Sequence, residues 1–183
     1  LAHSADDAVR RDPTCRGIFA DILKGLVHIH SAGIVHRDLM PFNVLLEKGD
    51  KFDEDGFVCR LGNFRYATTL PEEGFCSQAV GIPQFSSPEM LRGMYGYSTD
   101  VWSFGVIAYL LLYSHMPYEP EGHIDARSML TAFETAPTYQ QPVTKLSMMH
   151  GITHTRVAQA FVCKALVLSN KKRPSAEALP YVR

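Results

Sequence analysis

The spacing of apolar positions divides the chain into a few helical stretches joined by polar turns. From Cys15 onward, Ile18, Ile22, Leu26 and Ile29 recur near the 3.6-residue period, with Phe19 and Leu23 beside them. The pattern predicts a long helix that ends at Ser31-Ala32-Gly33, with Gly33 as its C-terminal cap. Val44–Leu46 and Phe57–Leu61 are short apolar runs on either side of a charged connector, 47–56, and predict a hairpin. Val101 to Tyr113 is apolar nearly all round, which predicts a buried helix. Ser98 is placed to cap that helix, and Asp100 falls in its first turn, where a negative charge is favoured. Further helices are predicted over Gly122–Ala136 and Val157–Leu168, the latter with Phe161, Ala165 and Leu168 near one face. A loop is expected over Pro137–Gly151, and a turn at Ser169–Ser175 leads into a last short helix. Leu1–Asp12 is polar and has no period.

Composition narrows the function classes more than it names one. With 183 residues, 46% hydrophobic and 20% charged, the chain suits one globular domain with a good core. A net charge of −1 excludes a binder that relies on electrostatic attraction to nucleic acid. The four cysteines, Cys15, Cys59, Cys76 and Cys163, form no C-x-x-C pair, so free thiols of an intracellular protein are expected. The longest apolar run is too short to cross a bilayer and contains Ser103, and no signal peptide appears. Neither a membrane nor a nucleic acid is expected as a partner, and cytoplasmic placement is the default. The first residue is Leu1, not Met, which fits a piece of something longer. Asp53, Asp55 and Gly56 hint at a calcium loop, but Lys51 holds the first ligand position and Gly62 the twelfth, so a solvated turn is expected. His150 and His154 are four apart with no acidic residue to complete a metal motif, and read as polar loop histidines.

The candidate chemistry lies in His36-Arg37-Asp38-Leu39-Met40-Pro41-Phe42-Asn43-Val44-Leu45-Leu46. An acidic residue sits in a short polar turn, an amide follows five positions later, and an apolar run begins at once. Asp38 and Asn43 presented to one cavity could hold a hydroxyl and a metal-bound phosphate, which is the positioning that phosphoryl transfer needs. Asp38 also reads as a loop carboxylate that caps local amides.

This stretch resembles the catalytic loop of protein kinases, H-R-D-L-x-x-x-N. Further blocks occur in the order of that family. Leu61-Gly62-Asn63-Phe64-Arg65 stands where D-F-G belongs, Ser87-Pro88-Glu89 stands for A-P-E, and Asp100-Val101-Trp102-Ser103-Phe104-Gly105 matches D-V-W-S-x-G. Arg173-Pro174 matches a late Arg that pairs with the A-P-E Glu, here Glu89. Pro41 and the Gly81–Glu89 block resemble the serine/threonine branch. The resemblance covers residues 1–183 and implies a mainly α fold, the large C-terminal lobe of the family with a small β-hairpin at the cleft. The small lobe is not expected within these residues, since no G-x-G-x-x-G and no strand lysine precede His36.

By resemblance, Asp38 would align the substrate hydroxyl, Asn43 would bind magnesium, and Leu45 would floor the adenine site, although a core leucine reads equally well there. His36 and Arg37 match the family's HR pair, with Arg37 able to read a phosphate on Thr68, Thr69 or Ser77, expected as exposed loop hydroxyls. Four positions depart from the pattern. Met40 replaces a phosphate-touching Lys, and Ile82 replaces a Thr whose hydroxyl ties the segment to the catalytic Asp. Asn63 lacks the carboxylate charge that grips magnesium, where losing one stabilising group can cost roughly 2.7–4 kcal/mol. Arg65 replaces a hinge glycine and brings a cation long enough to reach the phosphate site. ATP and Mg2+ are thus implied only by resemblance, with binding weak or absent. The expectation is a pseudokinase that binds a protein partner, an active kinase among the candidates, through a helical surface such as 122–151. The alternative is a fragment of an active ATP-dependent serine/threonine kinase whose small lobe lies upstream.

Overall fold

In the computed structural model, which describes residues 13–48, 57–135 and 156–179, helix α1 (Pro13–Ser31) supplies one wall of the core. Phe19, Ile22, Leu23, Leu26 and Ile29 are buried, as their helical spacing requires. Gly33 follows the helix at φ 78°, a conformation in which a side chain would be strained. Strand β1 (Ile34–Val35) leads to a short 3-10 turn (Pro41–Asn43) and then to β2 (Val44–Lys48), which pairs antiparallel with β3 (Phe57–Leu61) from Val44 opposite Leu61 to Lys48 opposite Phe57. The hairpin lies close against α1 because Gly25 carries no side chain; a Cβ there would stand 2.9 Å from Leu61 Cγ.

A second 3-10 turn (Phe64–Tyr66) precedes β4 (Thr68–Thr69), which pairs with β1 through Ile34 opposite Thr69 and Val35 opposite Thr68. Thr68 and Thr69 are therefore ladder residues, not loop hydroxyls; Thr68 is partly buried, while Thr69 and Ser77 are exposed as expected. A third 3-10 turn (Pro83–Phe85) and the short helix α2 (Pro88–Leu91) lead to α3 (Ser98–Tyr113). Ser87 Oγ caps α2 by accepting from the Met90 amide at 3.1 Å.

Helix α3 is the centre of the molecule. Val101, Trp102, Phe104, Val106, Ile107, Ala108 and Tyr109 are all buried, which accounts for the absence of a polar stripe in its sequence. Helices α4 (Ala126–Thr135) and α5 (Arg156–Ala165) complete the helical set. Phe19, Phe104 and Phe161 join α1, α3 and α5 in one aromatic cluster, and Trp102 meets Tyr118 and Phe133 in another. Gly105 lets α5 approach α3, since a Cβ there would lie 2.8 Å from Ala165 Cβ.

Several boundaries differ from the sequence reading. Ser98 does not cap α3: it is the first helical residue, Tyr97 precedes it in helical backbone, and the Ser98 hydroxyl turns to Glu89 Oε1 at 3.3 Å. Helix α4 starts at Ala126, not Gly122, because Asp125 and Ser128 form a reciprocal cap. The Ser128 amide donates to Asp125 Oδ1 at 2.8 Å, and the Asp125 amide donates to Ser128 Oγ at 3.0 Å. Helix α5 ends at Ala165, short of Leu168. No last short helix follows Pro174 among the described residues; Ser175–Leu179 is a run of turns. Leu1–Asp12, the calcium-loop candidates Lys51, Asp53, Asp55 and Gly56, the predicted loop 137–151, and His150 with His154 lie outside the described residues. Among the described residues no helix is long and apolar enough to cross a membrane.

Candidate functional site

Asp100, in the first turn of α3 and fully buried, builds the loop that carries the candidate residues. Its Oδ2 accepts from the His36 amide and its Oδ1 from the Arg37 amide, both at 2.9 Å, and Oδ2 also meets His30 Nε2 at 2.9 Å. A buried carboxylate is costly unless such partners surround it. The two amide bonds hold Arg37 at φ 69°, a strained conformation for a branched-out side chain that only outside contacts maintain. His36 then spans the site. Its Nδ1 accepts from the Asp38 amide at 3.3 Å, so Nε2 carries the proton that is donated to the Gly62 carbonyl at 3.0 Å. The ring also packs on Phe64, with centroids 4.9 Å apart.

Asp38 and Asn43 face each other at the centre. Asn43 Nδ2 donates to the Asp38 carbonyl at 2.6 Å and to Asp38 Oδ2 at 3.1 Å. Asn43 Oδ1 in turn accepts from Asn63 Nδ2 at 2.9 Å. Both residues of the loop pair are buried, and Asn63 stands at φ 56°, ψ 62°, a left-handed conformation that asparagine tolerates better than most side chains. Gly81, at φ 79°, presses on the same group: a Cβ there would lie 2.8 Å from Asp38 Oδ1. Asp38, Asn43, Asn63 and the backbone of Gly81 are thus one contact set.

The other singled-out residues are distributed around it. Met40 is half-buried beside the loop and Ile82 is 41% exposed, so neither apolar side chain hides in the core. Leu45 is 50% exposed, which rules out the core-leucine alternative. Arg65 lies in the 3-10 turn outside the positive-φ set, so the glycine position is filled without strain. Its Nη2 donates to the Tyr66 hydroxyl at 2.6 Å and its guanidinium lies 4.4 Å from the Tyr66 ring centre; this side chain is engaged away from Asn43. Arg37 Nε donates to the Tyr66 carbonyl at 2.5 Å and Nη1 to the Tyr95 hydroxyl at 3.3 Å. Arg37, Thr68 and Ser77 line one cavity of about 420 Å³, whereas Thr69 stands outside it.

Glu89 and Arg173 meet below the loop. Arg173 Nη1 bonds Glu89 Oε1, and Nη2 donates to Oε2 at 3.1 Å. The remaining guanidinium protons go to the Ser98 carbonyl at 2.7 Å and, from Nη2 and Nε, to the Val167 carbonyl at 2.9 and 3.0 Å. The guanidinium also lies over Trp102 at 5.0 Å.

Sequence reasoning missed His30, Gly81 and Tyr95. A histidine in the last turn of a helix is a weak signal, since it equally suits the helix dipole. Tyr95, whose hydroxyl donates to the Gln78 carbonyl at 2.5 Å, is held above the usual phenol range by burial, with Arg37 working against that shift. At the back of the hairpin, burial and then Asp21 push the Cys59 thiol up to about 11.

As a seat for a divalent cation the set fits poorly. Magnesium is usually gripped by carboxylates. Here Asp38 is the one carboxylate of the contact set, Asn43 Oδ1 is already occupied, and among the described residues no cluster of three or more His, Cys, Asp or Glu has metal-binding spacing.

Comparison with known proteins follows the same residues. The model of the protein kinase domain matches residues 3–181. The serine/threonine-protein kinase shk1/pak1 of Schizosaccharomyces pombe is 32% identical over 163 residues, which are 87% of this chain and 22% of that protein. The serine/threonine-protein kinase ppk34 of the same organism is 32% identical over 130 residues, 67% of this chain and 35% of that protein. Serine/threonine-protein kinase D2 of Homo sapiens is 36% identical over 117 residues, 63% of this chain and 13% of that protein. The chain spans about a third or less of the length of these relatives.

Proposed function

The chain belongs to the protein kinase family, and on that premise we propose that it is a catalytically impaired member, a pseudokinase built on the large lobe, that acts by binding other proteins in the cytoplasm. The observation that carries this reading is the closed run of contacts from Asp38 through Asn43 to Asn63. Phosphoryl transfer relies on charge placed where the phosphoryl group moves. In this cleft the side chain of Asn43 meets one carboxylate, one backbone carbonyl and one neutral amide, Met40 and Ile82 bring no polar group, and the Arg65 guanidinium rests on Tyr66. ATP and Mg2+ serve the family; Leu45 offers an apolar surface for a base, while Asn43 and Asn63 offer only amide oxygens to a metal.

Binding is supported by the apolar side chains around the cleft. Phe42 is 87% exposed and Leu46 59%, beside the exposed Leu45, Phe64 and Ile82. Large apolar side chains left exposed on the catalytic-loop segment and the turns that flank it favour a protein partner. The helical surface 122–151 is a second candidate, of which α4 is the described part.

A fragment of an active ATP-dependent serine/threonine kinase, with its small lobe upstream, is the competing reading. It draws on one observation: the Asp38–Asn43 pair keeps a hydroxyl-aligning carboxylate at the mouth of the loop. Phosphotransfer from labelled ATP to a serine- and threonine-rich protein decides between them. Transfer no greater than that of Asp38→Ala is expected. Transfer that Asp38→Ala abolishes would overturn the pseudokinase reading.

A further inference from the structure

We propose that the Asn63 side-chain amide takes the place of a divalent cation in the cleft, closing it by a direct Asn63–Asn43 hydrogen bond. The distance from Asn63 Nδ2 to Asn43 Oδ1 is 2.9 Å. The direction of this bond follows from the rest of the network. Asn43 Nδ2 is committed to the Asp38 carbonyl and carboxylate, so only Oδ1 of Asn43 can face residue 63, and it can only accept. A carboxylate at position 63 would set two acceptors against each other, and a cation between them would be the natural remedy. An amide supplies the missing proton itself. The contact that a metal would bridge is thereby made by the chain.

Three further observations agree. Position 63 is held at φ 56°, where asparagine is among the few side chains that sit without large strain. Asn43 is 5% exposed, so its oxygen gains little from water and needs a partner within the protein. The two cations at this turn are engaged elsewhere, Arg65 by the Tyr66 hydroxyl and ring and Arg37 by the Tyr66 carbonyl and the Tyr95 hydroxyl, which leaves the Asn43–Asn63 contact to the amides. The inference goes beyond the proposed function, because a binding module can hold a structural cation without catalysing anything.

Mn2+ added to the full chain tests the idea without nucleotide. In the wild type, the side-chain amide signals of Asn43 and Asn63 should stay sharp in nuclear magnetic resonance spectra at millimolar Mn2+, and the melting midpoint should not move. Asn63→Asp should melt lower in the absence of metal and recover on adding Mn2+, with binding at least about tenfold tighter than wild type, because ligand charge dominates affinity for hard cations. Asn63→Ala should melt lower with no recovery, which separates loss of the bond from gain of a metal site. Should Asn63→Asp fail to fold, the wild-type amide signals remain decisive. Broadening of the Asn43 amide by Mn2+ in the wild type overturns the inference, as does an Asn63→Asp variant that is as stable as wild type without metal. Neither readout involves phosphotransfer, so either result leaves the pseudokinase reading to its own assay.

Discussion

Around Arg173 the polar groups are ionic and fully matched, whereas around Asn63 they are mostly neutral and matched only to one another. The guanidinium of Arg173 places all its donors on Glu89, Ser98 and Val167. Asp100 likewise spends its carboxylate on the His36 and Arg37 amides and on His30. In the cleft, a short distance along the same loop, Asn63 answers Asn43 amide to amide. Charge is kept where removing it would leave a buried group orphaned. In the cleft the carboxylate of Asp38 is kept, while position 63 carries a neutral amide and positions 40 and 82 carry apolar side chains. The two regions would obey different constraints under the proposed reading: one is held by the cost of unpaired buried charge, and the other would have no phosphoryl group to stabilise.

The strongest attempt to break this contrast is Arg173→Ala. Glu89 would be left buried without its counter-ion, at a cost of about 3–5 kcal/mol, which is a large share of the total stability of a domain. Chemical denaturation of the variant should show little folded protein. A soluble variant with the wild-type melting curve would place Arg173 outside the scaffold. Asp100→Ala should follow with a smaller loss. The buried His36 amide would lose its acceptor, costing about 1–3 kcal/mol, while the partly buried Arg37 amide can turn to water. Asp100→Asn keeps one acceptor oxygen and should recover part of the loss in the same urea titration. Equal losses for Ala and Asn would mean that charge, and not acceptor geometry, holds the loop.

How much of this was legible beforehand differs between the same two regions. The buried helix was readable because a run such as Val101-Trp102-Ser103-Phe104-Gly105-Val106 has no solvent face to offer. The period of Ile18, Ile22, Leu26 and Ile29 gave α1 for the same reason. The two-residue strands β1 and β4 were not readable, since two residues carry no alternation. Ser98 misled because a hydroxyl before a helix has the composition of a cap, yet here Glu89 claims it from nine residues away. Asp125 and Ser128 did carry a capping signal, overlooked because the partner is Ser and not Glu or Gln. At the site, residue types announced Asp38, Asn43 and the four departures. The bond between Asn43 and Asn63, the pressure of Gly81 on Asp38, and the reach of His30 to Asp100 across 70 positions are tertiary facts with no local pattern.

The hairpin packs on α1, where the Cys59 amide donates to Asp21 Oδ2 at 3.0 Å, and Cys59 reports how firmly it is held. Burial holds its thiol up to about 11 against an ordinary value of 9.0. Between those values the unfolded chain loses the proton first, so the folded state binds more protons and stability falls as pH rises through this window. The slope attributable to Cys59 is at most about 1.4 kcal/mol per pH unit. Urea midpoints of wild type should therefore drop relative to Cys59→Ala from pH 9 to pH 11. Parallel profiles would show a hairpin that opens readily and leaves the Cys59 thiol in water.

The smallest expected effect is the sharpest test of the contrast. Met40→Lys combined with Ile82→Thr restores the polar groups that the family resemblance assigns to those positions. Met40 is half-buried and Ile82 is 41% exposed, so a lysine can extend its ammonium to water and a threonine hydroxyl can be solvated. Neither change opens a core cavity or strands a buried group, and stability should stay within about 0.5 kcal/mol of wild type. Arg173→Ala, measured on the same denaturation scale, should differ by several-fold more. If the double variant instead loses stability on the scale of the Asp100 change, Met40 and Ile82 are packing residues. Their departure from the family pattern would then reflect a requirement of the scaffold, and the cleft could not be described as free of structural constraint. If stability holds and phosphotransfer still does not appear, the two departures that these substitutions leave untouched remain to be tested: the amide contact between Asn43 and Asn63, and Arg65 in place of a glycine.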